Sequence, residues 1–249
     1  MTSSRTFVRL GLVALPLVAV AFATRDGVTA GAALLGGGLL ITLPALAVAQ
    51  LGLALPDDVD TMSVYVSSAL VIVGLAAVSL LVGAGTLGYE AMGLGAIAPR
   101  TLAVGSAIAT GAGLGVMVVA RLLAARMGWV ETELVRMVMP ADGRERGAFV
   151  VVSAVAGLGE EIAYRGFLLA LLLQTFGDPL TAVVLTSIAF GLLHAYQGAV
   201  GMIRTGLIGL AFASIAIALG SVWPVVVGHV MINLVAGLLL GEWLLDMES

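Results

Sequence analysis

Apolar residues dominate the chain in long unbroken runs, and polar residues collect in the short gaps between them. Eight such runs predict helices at about Phe7–Ala23, Ala30–Leu55, Met62–Leu87, Thr101–Leu123, Phe149–Phe176, Pro179–His194, Met202–Leu219 and Val222–Leu240. Most are near the ~20 residues that a helix needs to cross the hydrocarbon core. The run at 179–194 is short. Alternating segments of about ten residues, the mark of a membrane β-barrel, do not occur. The fold class predicted is therefore all-α, a polytopic transmembrane bundle of about eight helices. The gaps carry local signals. Gly177-Asp178-Pro179 reads as a helix stop, an N-cap and a first-turn proline. Gly220-Ser221 ends one helix and can cap the next. Pro56-Asp57-Asp58 ends the second run. Gly111–Gly115 and Gly209–Ala213 are small-residue pairs that let helices approach closely.

Composition agrees. Of 249 residues, 61% are hydrophobic and 10% charged, against roughly 25% charged in soluble domains. No basic patch suggests a nucleic-acid partner. Cysteine is absent, which removes disulfides, thiolate metal sites and a cysteine nucleophile. Every cation is an arginine, and arginine placement sets the orientation. With the N-terminus inside, eight fall on the cytoplasmic side: Arg5, Arg9, Arg121, Arg126, Arg136, Arg144, Arg146 and Arg204. Only Arg25 and Arg100 fall outside, so N-in and C-in placement in the cell membrane is expected. Ala21-Phe22-Ala23 after a basic start also resembles a signal-peptide cleavage site. A retained helix is the favoured reading in a multispanning chain. Residues 124–147 form the longest polar connection. Within it, Trp129 to Arg136 reads either as a short interfacial helix or as a solvated connector.

The first half of the chain has almost no ionisable residue within its spans. The second half concentrates them in three groups: Glu160-Glu161 with Tyr164-Arg165, Phe190 with His194, and His229 with Asn233. Glu161 and Arg165 are four apart and share a helix face, about 40° apart. They can pair, which lowers the penalty of holding both in the membrane. Glu160 lies about 140° from Arg165 and is the unpaired carboxylate. His229 and Asn233 share a face in the same way. Phe190 lies one turn before His194, beneath its ring, and reads as packing.

Each group alone is compatible with mere packing. Three charges on less than two turns, with both histidines of the chain in later spans, point instead to a shared polar cavity. A carboxylate, two imidazoles and an amide suit water activation with oxyanion stabilisation. His-Glu-x-x-His is absent, as is Gly-x-Ser-x-Gly. Paired aspartates within two spans are also missing. Three readings remain: a glutamate-dependent peptidase, a zinc enzyme with Glu160, His194 and His229 as ligands, and a non-enzymatic scaffold, immunity factor or proton-coupled carrier. The zinc reading lacks a standard ligand spacing.

Glu160-Glu161-x-x-x-Arg165, Phe190-x-x-x-His194 and His229-x-x-x-Asn233, in that order, resemble the family of CAAX proteases and bacteriocin-processing proteins. This family, CPBP or Abi, includes the Rce1-type glutamic intramembrane endopeptidases. The resemblance covers about residues 148–240. It implies a catalytic core at 148–249, preceded at 1–147 by transmembrane helices and a cytoplasmic connector. It further implies Glu160 as the general base, His194 orienting the water, His229 and Asn233 as the oxyanion site, and Glu161 and Arg165 as support. No metal or other cofactor is implied. The partners implied are membrane lipids and a peptide or lipidated protein substrate, cut near a prenylated C-terminus in Rce1-type members.

Overall fold

The computed structural model describes residues 27–51, 60–129, 132–241 and 243. The expected first span, the stop at Pro56-Asp57-Asp58 and Arg5, Arg9 and Arg25 lie outside them. The regular structure of the described residues is helical, in eight main elements. These are α1 (Ala30–Ala49), α2 (Thr61–Thr86), α3 (Pro99–Met127), α4 (Glu133–Met137), α5 (Gly143–Phe176), α6 (Pro179–Leu193), α7 (Gly198–Leu219) and α8 (Trp223–Leu239). Five helical stretches are long and apolar enough to cross a membrane, and α6 and α8 are shorter apolar helices. The chain is a multi-pass membrane protein.

Local chemistry sets the boundaries. Asp60 caps α2 by accepting from the Ser63 amide at 3.0 Å. Asp142 caps α5 by accepting from the Glu145 amide at 2.8 Å, while Glu145 reaches back to the Ala141 amide at 2.7 Å. The two contacts satisfy donors that no helical carbonyl can reach. Gly177 ends α5 at φ +68°, a conformation that favours glycine, and Asp178 and Pro179 open α6 as expected. Hydrogen bonds from the Thr181 side chain and amide hold the Asp178 carboxyl below its ordinary range.

Two expectations change. The polar connection is shorter than 124–147, because α3 continues to Met127 and α5 already begins at Gly143. Arginines interrupt the apolar pattern there without interrupting the helix, since arginine is a good helix former. Within the connection only Glu133–Met137 is helical among the described residues. The second correction concerns Gly111 and Gly115, where an added Cβ would meet nothing within 4 Å. They do not mediate a close approach.

Other glycines do. At Gly157 on α5 a Cβ would stand 3.0 Å from the Val230 amide nitrogen and 2.5 Å from the Val230 side chain of α8. At Gly191 on α6 it would stand 2.7 Å from the Met202 carbonyl and 3.0 Å from Gly206 Cα of α7. These contacts draw α8 against α5 and α6 against α7, so three helices of the second half meet around residues 160–165. The core lies here: Tyr164, Phe167, Leu168, Leu171 and Leu172 of α5 are buried against α1 and α6. α2 packs on the other side of α5, and α3 packs against α7 and α8.

Candidate active site

The helix α5 is not uniform. It is α-helical to Glu161 and π-helical from Ile162 to Leu168. A π-segment of this kind is rare and occurs often at functional sites. Both acidic residues therefore stand on its doorstep, and Arg165 lies within it. The pairing expected from spacing is present: Arg165 Nη1 donates to Glu161 Oε1 at 2.9 Å. Glu161 is 0% exposed and Arg165 2%. The guanidinium also lies 4.0 Å from the centre of the Phe190 ring, a cation–π contact in a desolvated setting.

The same Glu161 Oε1 accepts a second bond, from His229 Nδ1 at 2.8 Å. An ionised carboxylate only accepts, so the proton on this contact belongs to Nδ1. Glu161 thereby joins α5 to α8 and sets the orientation of the His229 ring. Sequence spacing could not reveal this contact, because its partners are 68 residues apart.

His194 closes α6. Its Nδ1 lies 2.8 Å from the Phe190 carbonyl, an acceptor, so Nδ1 carries the proton and neutral His194 keeps a lone pair on Nε2. That nitrogen lies 3.7 Å from Glu160 Oε2, beyond direct hydrogen-bond reach. Glu160 Oε2 is buried and accepts no hydrogen bond among the described residues. Phe190 is the hub of the cluster. Its ring centre is 4.7 Å from that of His194, 6.3 Å from that of His229 and 5.1 Å from that of Tyr164.

His194, His229, Asn233 and Phe190 line one cavity of about 240 Å³. Its wall is mostly apolar, with Met117, Phe149, Phe212 and Ile232 from α3, α5, α7 and α8. Glu160 is not part of that wall; it reaches the cavity's edge through its approach to His194. Among the described residues, no three of His, Asp and Glu converge as ligands for a metal ion.

Residues 144–235 match the family model described as Rce1-like, Type II CAAX prenyl endopeptidase Rce1-like. Over this segment, a little over a third of the chain, the sequence is similar to the Rce1-like family. No curated protein and no solved structure matches the chain.

The Rce1-like segment contains all of Glu160, Glu161, Arg165, Phe190, His194, His229 and Asn233. It runs from the start of α5 to the last turns of α8. The helices before it are not a detached unit: Gly159, beside Glu160, packs on Ile72 of α2, and Gly228, beside His229, packs on Ala109 of α3. The Rce1-like cluster thus sits in a cradle supplied partly by the first half of the chain.

Proposed function

We propose that the chain is a glutamate-dependent intramembrane endopeptidase of the CAAX-protease type. The observation that carries the reading is the 3.7 Å approach of Glu160 Oε2 to His194 Nε2, at the edge of a cavity that His229 and Asn233 also line. Both facing atoms are acceptors. A water set off the line between them donates one hydrogen bond to each, which leaves its oxygen lone pair directed at substrate. Glu160 takes the proton as the water oxygen bonds to the scissile carbonyl carbon. The tetrahedral intermediate collapses with cleavage of the C–N bond, and the proton passes from Glu160 to the departing amine.

In this scheme His229 Nε2 and the Asn233 amide are donors to the oxyanion. Because Nδ1 of His229 is committed to Glu161, Nε2 donates only as part of an imidazolium. Charge supports that state. Two carboxylates, one guanidinium and one imidazolium sum to zero, which a buried cluster requires. Glu161 and Arg165 then act by holding His229, and Phe190 by holding Arg165 and both imidazoles.

The substrate proposed is a membrane-held peptide, cut near a prenylated C-terminus, and the largely apolar wall suits it. The arginine distribution favours N-in and C-in placement in the cell membrane, with the cavity opening to the cytoplasm. The catalytic core is assigned to 148–249, with 1–147 as accessory helices and connector. The full chain in proteoliposomes, given a farnesylated peptide, is expected to release a C-terminal fragment detectable by mass spectrometry. His194→Ala is expected to lower turnover by about 100-fold or more. Undiminished cleavage by that variant contradicts the mechanism.

A further inference from the structure

Ser153 stands two turns before Glu160 on α5 and lines the cavity that holds His194, His229 and Asn233. It is 2% exposed, and its hydroxyl oxygen is buried without a hydrogen-bond partner. Thr110, Thr175, Ser187 and Ser214 each donate to the carbonyl four residues back in their own helices. For Ser153 that acceptor would be the Phe149 carbonyl, and the bond is not made. Ser79, Ser106 and Thr186 are also buried and unpartnered, but none of them belongs to the cavity wall. Thr205 does belong to it, and its hydroxyl donates to Gln197 Oε1 at 3.3 Å. Among the described serines and threonines of the wall, Ser153 is therefore the one whose hydroxyl is left for a ligand.

The surroundings say what kind of ligand fits. Phe149, Val152 and Ala156 flank Ser153 in the wall, and none carries a side-chain donor. A peptide entering this apolar stretch gives up the water on its backbone carbonyls, a loss that only a donor offsets. A serine hydroxyl donates one hydrogen bond and suits a neutral carbonyl oxygen. Position adds distance and direction. Ser153 and Glu160 are seven residues apart in the α-helical part of α5. They share a face within about 20° and stand roughly 10 Å apart along the axis. That span equals about three residues of extended chain. Ser153 is displaced toward the polar connection before α5, whose Val135, Val138 and Met139 belong to the same wall.

We infer that Ser153 binds the substrate backbone, its hydroxyl donating to the carbonyl about three residues upstream of the scissile bond. The inference rests on the peptidase reading above. A substrate cut near its C-terminus keeps the bulk of its chain upstream of the cut, and that bulk must leave through the cavity mouth. Ser153 lies between Glu160 and the polar connection at that end. The contact is the same in the ground and transition states, so it acts on KM rather than on kcat.

The test uses farnesylated peptides in which one backbone amide at a time is replaced by an ester, whose carbonyl is a weaker acceptor. Cleavage is measured with the full chain in proteoliposomes. With wild type, the ester whose carbonyl lies three residues upstream is expected to raise KM about three- to tenfold more than esters at neighbouring upstream positions. Ser153→Ala is expected to raise KM for the all-amide peptide by a similar factor and to lose the added sensitivity at that ester. Ser153→Thr, which keeps the hydroxyl, is expected to restore it. A merely structural role would move every peptide of the series alike. An ester profile that Ser153→Ala leaves unchanged overturns the inference and leaves the peptidase reading standing, as does an unchanged KM for the all-amide peptide. Failure of wild type to cleave the all-amide peptide overturns both.

Discussion

The two adjacent glutamates should fail in opposite ways when neutralised, and Glu161→Gln is the sharper case. The substitution preserves size and leaves one carbonyl oxygen where Oε1 stands. It removes the charge that faces Arg165 at 2.9 Å and His229 at 2.8 Å. Arg165 is 2% exposed, so water cannot take over. Breaking a buried pair by removing one partner destabilises by about 3–5 kcal/mol, because a charge stays behind without compensation. For a chain of this size, 3 kcal/mol corresponds to roughly 6–12 °C in Tm. Turnover should fall as well, since the acceptor that orients the His229 ring loses the charge that favours its imidazolium.

Glu160→Gln is the control. Its Oε2 accepts nothing from the described protein, so neutralising it breaks no direct ion pair, and Tm should change far less than with Glu161→Gln. The assay is thermal unfolding of the purified full chain in one detergent, with turnover measured in parallel. A Glu161→Gln protein as stable as wild type would refute the reasoning, as would a larger loss from Glu160→Gln. Either result would mean that Arg165 is compensated from elsewhere and that Glu161 does not anchor the cluster.

Two further outcomes follow from the packing and the caps. Gly191→Ala should destabilise by about 1–3 kcal/mol, because the new methyl meets backbone of α7 rather than a movable side chain; a Tm within a degree of wild type would contradict that. Asp178→Ala should lower Tm at neutral pH by uncapping α6. The hydrogen bonds of Thr181 hold the folded carboxyl below its ordinary 3.8. Its stabilisation is therefore fully present above 3.8 and lost as pH falls through the lower folded value. The gap between wild type and variant, followed by Tm against pH, should persist at pH 5 and close only in that acidic window.

Much of this was legible in the sequence where the determinants are local. Helical spacing alone indicated the Glu161–Arg165 pair, and Gly177-Asp178-Pro179 marked the turn between α5 and α6. Spacing also placed Phe190 under His194. It could not find the contact between His229 and Glu161, which depends on α8 lying against α5. Nor did it reveal the π-segment after Glu161, which no proline announces. The glycine pairs show the limit most plainly. Gly111–Gly115 and Gly209–Ala213 share one pattern, yet a Cβ at Gly209 would sit 3.0 Å from Arg165 Nη2 while Gly111 and Gly115 face open space. Spacing shows which residues share a face but leaves open which face is covered. Arg204 was legible only as one of many arginines on one side of the membrane. Its place in the cavity wall depends on how α7 packs against its neighbours.

The central claim is that Glu160 is the base for water attack. Its most direct test is kcat for a farnesylated peptide, measured in proteoliposomes with wild type and with Glu160→Gln of equal Tm. The account predicts that the amide variant binds the peptide with unchanged affinity and turns it over about 100- to 10,000-fold more slowly. Turnover by Glu160→Gln within a few-fold of wild type would contradict it.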